Sequence, residues 1–389
     1  MIGQEYKSEM SRYADELSGH EIVKLTNDYQ NYHLYFTENS FTLGDEEIVF
    51  LSSRPSQERN CFNYFKMDLK TGKMVQLTDE KDGVDNDGHT KTPDSKLLLY
   101  ICNKRTTLKM VDTETGKNTI LYQEEDPHYT LEQPSFSSDH RYVGFVRNEN
   151  TGFFSGDNYV GFKEKMYASK IGQIVLVPMD QPGKSIIVWT DTHQLGHLQF
   201  SPIVPTLLSF CHEGPWNYVQ QRIWLLDIVS RVPVPCFRQE EDDSVGHEFW
   251  TRNNLVFFDN RRAGHDGTIT VSRTQAVTNE ASANVKKDQI PYVGFANAKG
   301  EVVRTLALPF YCNHYHANTD NTLLVGDDVD NLDLIDIRTD TAEIKTLCHH
   351  GTSWNGQITH CHPTWSWNSK KILYESDAGK KCNLYLIEV

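Results

Sequence analysis

Short apolar runs of strand length, separated by turn residues, recur along the chain. One unit reads strand, S/T-x-D/N turn, strand, loop, strand, T-G turn, strand. It is clearest in SFTLGDEEIVFLSS…NYFKMDLKTGKMVQLTDE, from Ser40 to Glu80. Further copies start at His89, Gln133, Leu198, His247, His316 and His362, making seven units in all. Their period is roughly 50 residues, within the range of propeller repeats. The pattern predicts an all-β fold, a seven-bladed β-propeller, whose closure leaves only short, protected edges.

The last unit stops after its third strand, at Val389. The segment GHEIVKLTNDY, from Gly19, reads like the fourth strand GKMVQLTDE, from Gly72. Glu21 to Thr26 is therefore expected to complete the last blade and close the ring. Residues 1–18 are expected to form a tail or short helix outside the sheets. No linker interrupts the pattern, so residues 1–389 read as a single propeller domain.

Composition narrows the functional classes. A net charge of −15 argues against nucleic acid and anionic membrane surfaces as partners. No apolar run reaches the length of a membrane span, and the polar N-terminus lacks the apolar stretch of a secretory signal. The eight cysteines are scattered without C-x-x-C pairs, which points to free thiols in the cytoplasm.

The histidines carry the candidate chemistry. Gly88-His89, Gly196-His197 and Gly246-His247 each fall at the start of an inner strand, as do His314 with His316 and His360 with His362. Equivalent positions of a propeller form a ring around the axis, so residues far apart in sequence are expected to meet in one mouth. A histidine at a blade entrance can simply cap a turn; the joint set is what suggests a site. In GQITHCHPTW an extended chain would turn His360 and His362 to one side, near Gln357. Cys361 would then point away. His349 and His350, in a polar fourth-strand turn, are expected at the surface.

Imidazoles with an amide and no thiolate leave coordination positions open, as a catalytic metal site requires. They do not name the metal. Arg222, at the end of the loop CHEGPWNYVQQ, should emerge on the same face and could pair with a carboxylate, or with a carboxylate of that loop. One reaction that uses such a set is β-elimination from a uronic acid. There a cation stabilises the enolate-like intermediate and a neutral base removes the proton α to the carboxylate.

Five stretches, LGHLQFSP (195–202), SFCHEGPWNYVQQRIW (209–224), GHEFW (246–250), CNHYHANTDNTLLVGD (312–327) and GTSWNGQITHCHPTW (351–365), together resemble the oligogalacturonate lyases. The resemblance is strongest from about His197 to the C-terminus. It implies a cytoplasmic, pectin-degrading enzyme with a small acidic oligosaccharide as substrate, acting as a monomer or homodimer. It implies His314, Gln357, His360 and His362 as metal ligands, with manganese the expected ion. His316 competes with His314 for the third imidazole position, and the C-x-H spacing before the turn favours His314. It implies His247 as the base and Arg222 as the charged partner of the substrate; His197, another Gly-His of the ring, is expected to contact the substrate as well. Cys361 stands where relatives often have proline. The alternative is a non-catalytic, TolB-like propeller that binds or scaffolds, which would share the repeats but has no need for convergent imidazoles. A peptidase propeller is disfavoured, since no G-x-S-x-G motif occurs.

Overall fold

A computed structural model describes residues 1–56, 61–153, 161–240, 243–260 and 290–389, apart from the side chains of Trp216, Asn217 and Gln357. Seven antiparallel sheets form the blades of a β-propeller; the strands follow chain order from the channel outwards in blades two to six, while blades one and seven take their outermost strands from the N-terminal segment. The inner strands are Asn31–His33, Val84–Lys91, Tyr129–Phe136, Leu195–Phe200, Glu248–Trp250, His314–Ala317 and Thr364–Trp365, for blades one to seven. Second strands such as Glu47–Ser52, Leu97–Cys102 and Lys371–Ser376 are buried along almost their whole length. They are covered on both faces by neighbouring blades, so they read as continuous apolar runs rather than alternating ones. Outer strands such as Val302–Ala307 are largely exposed. The core is divided among the gaps between blades. Tyr32, Leu51 and Tyr64 of blade one, for instance, pack on Leu98, Tyr100 and Val111 of blade two.

The ring closes as the sequence predicts. Glu21–Lys24 pairs with Asn383–Glu388, with Ile22 opposite Ile387 and Val23 opposite Leu386. Residues 1–18, however, are neither a helix nor a loose tail. Ser11–Ala14 adds a further strand to blade seven, and Glu5–Tyr6 adds one to blade one. Between them Glu9 forms a 2.8 Å ion pair with Arg54, whose side chain is 1 % exposed. The segment thus spans the seam between the last blade and the first. Its strands escaped the sequence reading because Ser11–Ala14 is exposed at every position and carries no apolar pattern.

Blade one also begins earlier than the repeat suggests, at Asn31 rather than Ser40. After His33 the chain leaves the sheet and inserts Tyr35 and Phe36 towards the channel. Phe36 is fully buried and packs with Phe249, Phe257 and Tyr315, which belong to blades five and six. A blade-one side chain therefore meets core from across the axis.

Candidate metal centre and active site

In every blade the hairpin between the first two strands closes on a Ser, Thr or Asn backbone N–H: Thr42, Thr92, Ser137, Ser201, Thr251, Asn318 and Ser366. Four residues upstream of these stand Glu38, Gly88, Gln133, His197, His247, His314 and His362. Blades four to seven therefore place a histidine at one and the same point of the repeat. His89 is one residue out of step, and its Nε2 accepts the backbone N–H of Tyr35 at 3.0 Å. Gln133, His197 and His362 have φ of 44°, 46° and 44°. That left-handed conformation is rare for residues with a Cβ and clusters at functional sites. In blades three and four it coincides with a register shift in the inner strand, a bulge that re-aims the side chain.

The four histidines converge. The ring of Phe36 lies 5.3 Å from that of His247, 5.6 Å from His314, 6.1 Å from His362 and 6.5 Å from His197. His360 joins them, its ring 5.3 Å from His314 and 5.5 Å from His362. His314, His360 and His362 are all buried, and their candidate ligand atoms lie within 4.8 Å of one another. His247 stands beside this trio, 4.8 Å from His314. The meeting of His360 and His362 was foreseen, but an extended strand is not its cause. The inner strand starts only at Thr364, and the left-handed turn at His362 brings the rings together. Cys361 does point away, into the core with Cys348 and Trp365. Gln357 opens a single 3-10 turn, Gln357–Thr359, just before His360; its side chain lies outside the described residues.

Each of three imidazoles is held from behind by a carboxylate on the second strand of its own blade. His247 Nδ1 is 3.2 Å from Asp259, His314 Nδ1 2.8 Å from Asp327, and His362 Nδ1 3.2 Å from Glu375. Donation from Nδ1 puts the lone pair on Nε2, the arrangement that carboxylates impose on metal-binding histidines. His362 Nε2 is buried without a hydrogen-bond partner among the described residues. Burial, reinforced by the neighbouring imidazoles, drives the His362 pKa well below its usual value, so the ring is neutral and able to ligate. Burial likewise pushes the Asp327 carboxyl up to about 8 and raises that of Glu375. No lysine or arginine among the described residues pairs with either. The neutral His362 imidazole with its orphaned buried nitrogen, and buried carboxyls short of positive charge, together fit a divalent cation. His316 is not part of this group. Its ring stacks on Phe249 at 5.4 Å, its Nδ1 accepts the N–H of Trp365, and burial lowers its pKa to about 3.

The comparisons with known proteins decide the family. The oligogalacturonate lyase family model matches residues 2–389. The chain belongs to the oligogalacturonate lyase family. Its members are enzymes, which sets aside the non-catalytic propeller. The oligogalacturonate lyase of Dickeya dadantii (strain 3937) is 26% identical over 410 residues, covering 100% of this chain and 98% of that protein. An oligogalacturonide lyase of Pectobacterium atrosepticum is 25% identical, covering 97% of this chain and 95% of the relative. Among solved structures, an oligogalacturonate lyase in complex with manganese superposes with a TM-score of 0.84 at 23% identity, covering 100% of this chain and 98% of that one. The oligogalacturonate lyase of Vibrio parahaemolyticus also gives 0.84, at 22% identity, covering 100% and 99%. No helix among the described residues is long and apolar enough to cross a membrane.

Arg222 makes the contact that the sequence left open as its alternative, an ion pair with a carboxylate of its own loop. It is buried, with Nε 3.0 Å from Glu248 and its two terminal nitrogens 3.3 and 3.4 Å from Glu213. Burial opposes ionisation of Glu213, but the Arg222 charge prevails and holds its pKa at about 2. The same two carboxylates flank His197. Its Nδ1 is 2.8 Å from Glu248, off the line of a good hydrogen bond, and its Nε2 is 3.8 Å from Glu213. Gly196 makes room for this, since a Cβ there would meet Glu213 Oε1 at 2.6 Å. His350 departs from its expected surface position. It is buried, not at the surface; its Nε2 lies 2.9 Å from the Asp328 carbonyl, and its ring abuts Trp354. Trp354 in turn stacks along His314 and meets His360 at a tilt, forming a wall of the site. Phe36, Tyr35 and Trp354 were missed because none stands at the repeat position that flagged the histidines.

Proposed function

We propose that this chain cleaves short oligogalacturonides, such as digalacturonate, by metal-assisted β-elimination that leaves a 4,5-unsaturated uronate. One observation carries the reading. His247 stands 4.8 Å from His314, beside a three-imidazole cluster yet outside it, and has its own carboxylate, Asp259. The arrangement separates a base from a cation site while keeping both in one mouth. The names of the Dickeya and Pectobacterium relatives support the substrate, and the manganese complex of the solved relative supports the ion.

His314, His360, His362 and Gln357 are the residues that would hold the divalent ion, with manganese expected. When bound, the ion supplies positive charge that favours the enolate-like carboxylate formed as the C5 proton leaves. His247 accepts that proton at Nε2, since its Nδ1 is committed to Asp259. Asp259 is itself fixed by the Tyr311 hydroxyl at 2.6 Å, and it stabilises the imidazolium that results. The C5–H electrons form the C4–C5 double bond, and the C4–O bond breaks with its electron pair leaving on the departing sugar's oxygen, which takes up a proton from solvent. Arg222 pairs with a substrate carboxylate that replaces its long bonds to Glu213, while the shorter bond to Glu248 keeps it oriented. His197, beside the same two glutamates, contacts the substrate next to it. The eight cysteines are all free and buried, in keeping with a cytoplasmic enzyme.

The test is to mix manganese-loaded protein with digalacturonate and follow the ultraviolet absorbance of the conjugated product. The band should grow, stop with EDTA and resume with manganese. No change in absorbance from folded, manganese-loaded protein would overturn the reading.

A further inference from the structure

A second cluster of ligating side chains lies on blades three and four, and the elimination chemistry makes no use of it. Asp191 ends the outer strand of blade three, Ile186–Asp191; His193 follows on the link to blade four; His212 ends that blade's second strand, Leu207–His212. The two imidazoles stack with ring centres 4.2 Å apart and planes 6° apart. His193 Nδ1 is 3.3 Å from Asp191 Oδ1, and His212 Nε2 is 3.0 Å from Asp191 Oδ2. Candidate ligand atoms of the three residues lie within 4.8 Å of one another.

We propose that Asp191, His193 and His212 form a second metal site, for a divalent transition ion of the zinc type. Zinc bonds to imidazole nitrogen and carboxylate oxygen are about 2.0–2.1 Å, so tetrahedral ligand atoms sit about 3.3 Å apart. The two nitrogen–oxygen separations, 3.3 and 3.0 Å to the two oxygens of the carboxylate, are close to that size. Two imidazoles and one carboxylate select zinc, cobalt, nickel or copper over magnesium and calcium, which prefer all-oxygen shells. The carboxylate is anchored from behind by Trp189 Nε1 at 2.9 Å and by the Thr192 N–H at 2.7 Å, the kind of outer support that orients metal ligands. The side chains of His193, Asp191 and His212 are 22%, 14% and 8% exposed, which leaves an ion a way in.

The site shares no residue with the His314, His360 and His362 cluster. Its place suggests what it does for the enzyme. His212 directly precedes Glu213, and the Glu213 N–H binds the Gln194 carbonyl at 2.9 Å. An ion there ties the link carrying His193 to the strand that presents Glu213 to Arg222. It acts as a clasp behind the substrate-facing side of the ring.

The experiment is a count of bound metal. Chelator-stripped, full-length protein is incubated with zinc, desalted and analysed for zinc per chain, alongside His193→Ala, His362→Ala and the double variant. Wild type should retain two equivalents, each single variant one, and the double variant none. His193→Ala retaining as much zinc as wild type would overturn the proposal, whatever the state of the first site. Circular dichroism confirms folding. Should a variant not fold, cobalt titration of the wild type decides. The second equivalent should give the intense visible bands of a four-coordinate ion, and only weak six-coordinate bands would count against it.

Discussion

Replacing Asp327 by Asn tests the idea that carboxylates behind the imidazoles prepare the metal site. Asp327 accepts the His314 backbone N–H at Oδ1 (2.6 Å) and the ring Nδ1–H at Oδ2 (2.8 Å). An asparagine that keeps the first bond turns its amide N–H₂ towards Nδ1. That favours the tautomer with the proton on Nε2, the atom that faces the cluster. Loss of such an outer partner costs about 10–100-fold in metal affinity or activity, or about 1.4–2.7 kcal/mol. The tautomer argument places Asp327→Asn at the upper end. The fold should tolerate the change, because the volume is nearly conserved and burial already pushes this carboxyl up to about 8. Manganese affinity, measured by chelator competition with the free ion followed by electron paramagnetic resonance, should fall while the thermal midpoint holds. A variant that binds manganese within a few-fold of wild type and turns over normally would refute the reasoning.

Phe36→Ala removes a fully buried ring against which four of the histidines rest; it should cost about 3–5 kcal/mol in denaturant unfolding and most of the turnover. Wild-type stability in the variant would show that Phe36 is not the floor of the site. Deleting residues 1–14 strips the outer strands of blades seven and one and leaves Arg54 without Glu9, so solubility and thermal midpoint should both drop; a soluble, fully stable truncation would mean the seam needs no such strap. Burial lowers the His89 pKa from 6.5 to about 4, so on acidification the unfolded chain takes up a proton that the folded one refuses, and stability is lost as pH falls from about 6.5 to 4. The span is worth about 3 kcal/mol; His89→Gln should flatten that limb of a midpoint-against-pH curve, and an unchanged limb would assign the acid sensitivity elsewhere.

The blades were legible because second strands buried on both faces leave an unbroken apolar signature, and because the hairpin turns repeat at a fixed offset. The histidine ring was legible for the same reason: a repeat turns sequence position into angular position. What escaped reading lacks periodicity. Ser11–Ala14 lies on the solvent side and has no apolar face to betray it. Tyr35 and Phe36 sit in an insertion between a short inner strand and its partner, ahead of where the repeat becomes visible. The carboxylates Asp259, Asp327 and Glu375 end or nearly end strands that look merely apolar, and only pairing across the hairpin sets them behind the imidazoles. Arg222 shows the opposite limit. Its position on the active face could be argued from the loop, but its partner Glu248 comes from the next blade, a contact that no local pattern encodes.

The division of labour between His247 and the three-imidazole cluster is the centre of the account, and His247→Ala tests it most directly. On one preparation the manganese content, the thermal midpoint and the rate of unsaturated uronate formation from digalacturonate are measured together. The variant should stay folded and keep its manganese, because His314, His360 and His362 are untouched. Its turnover should fall about 10²–10⁴-fold, the usual worth of a positioned base. A folded, manganese-loaded His247→Ala protein that turns over at close to the wild-type rate would contradict the assignment.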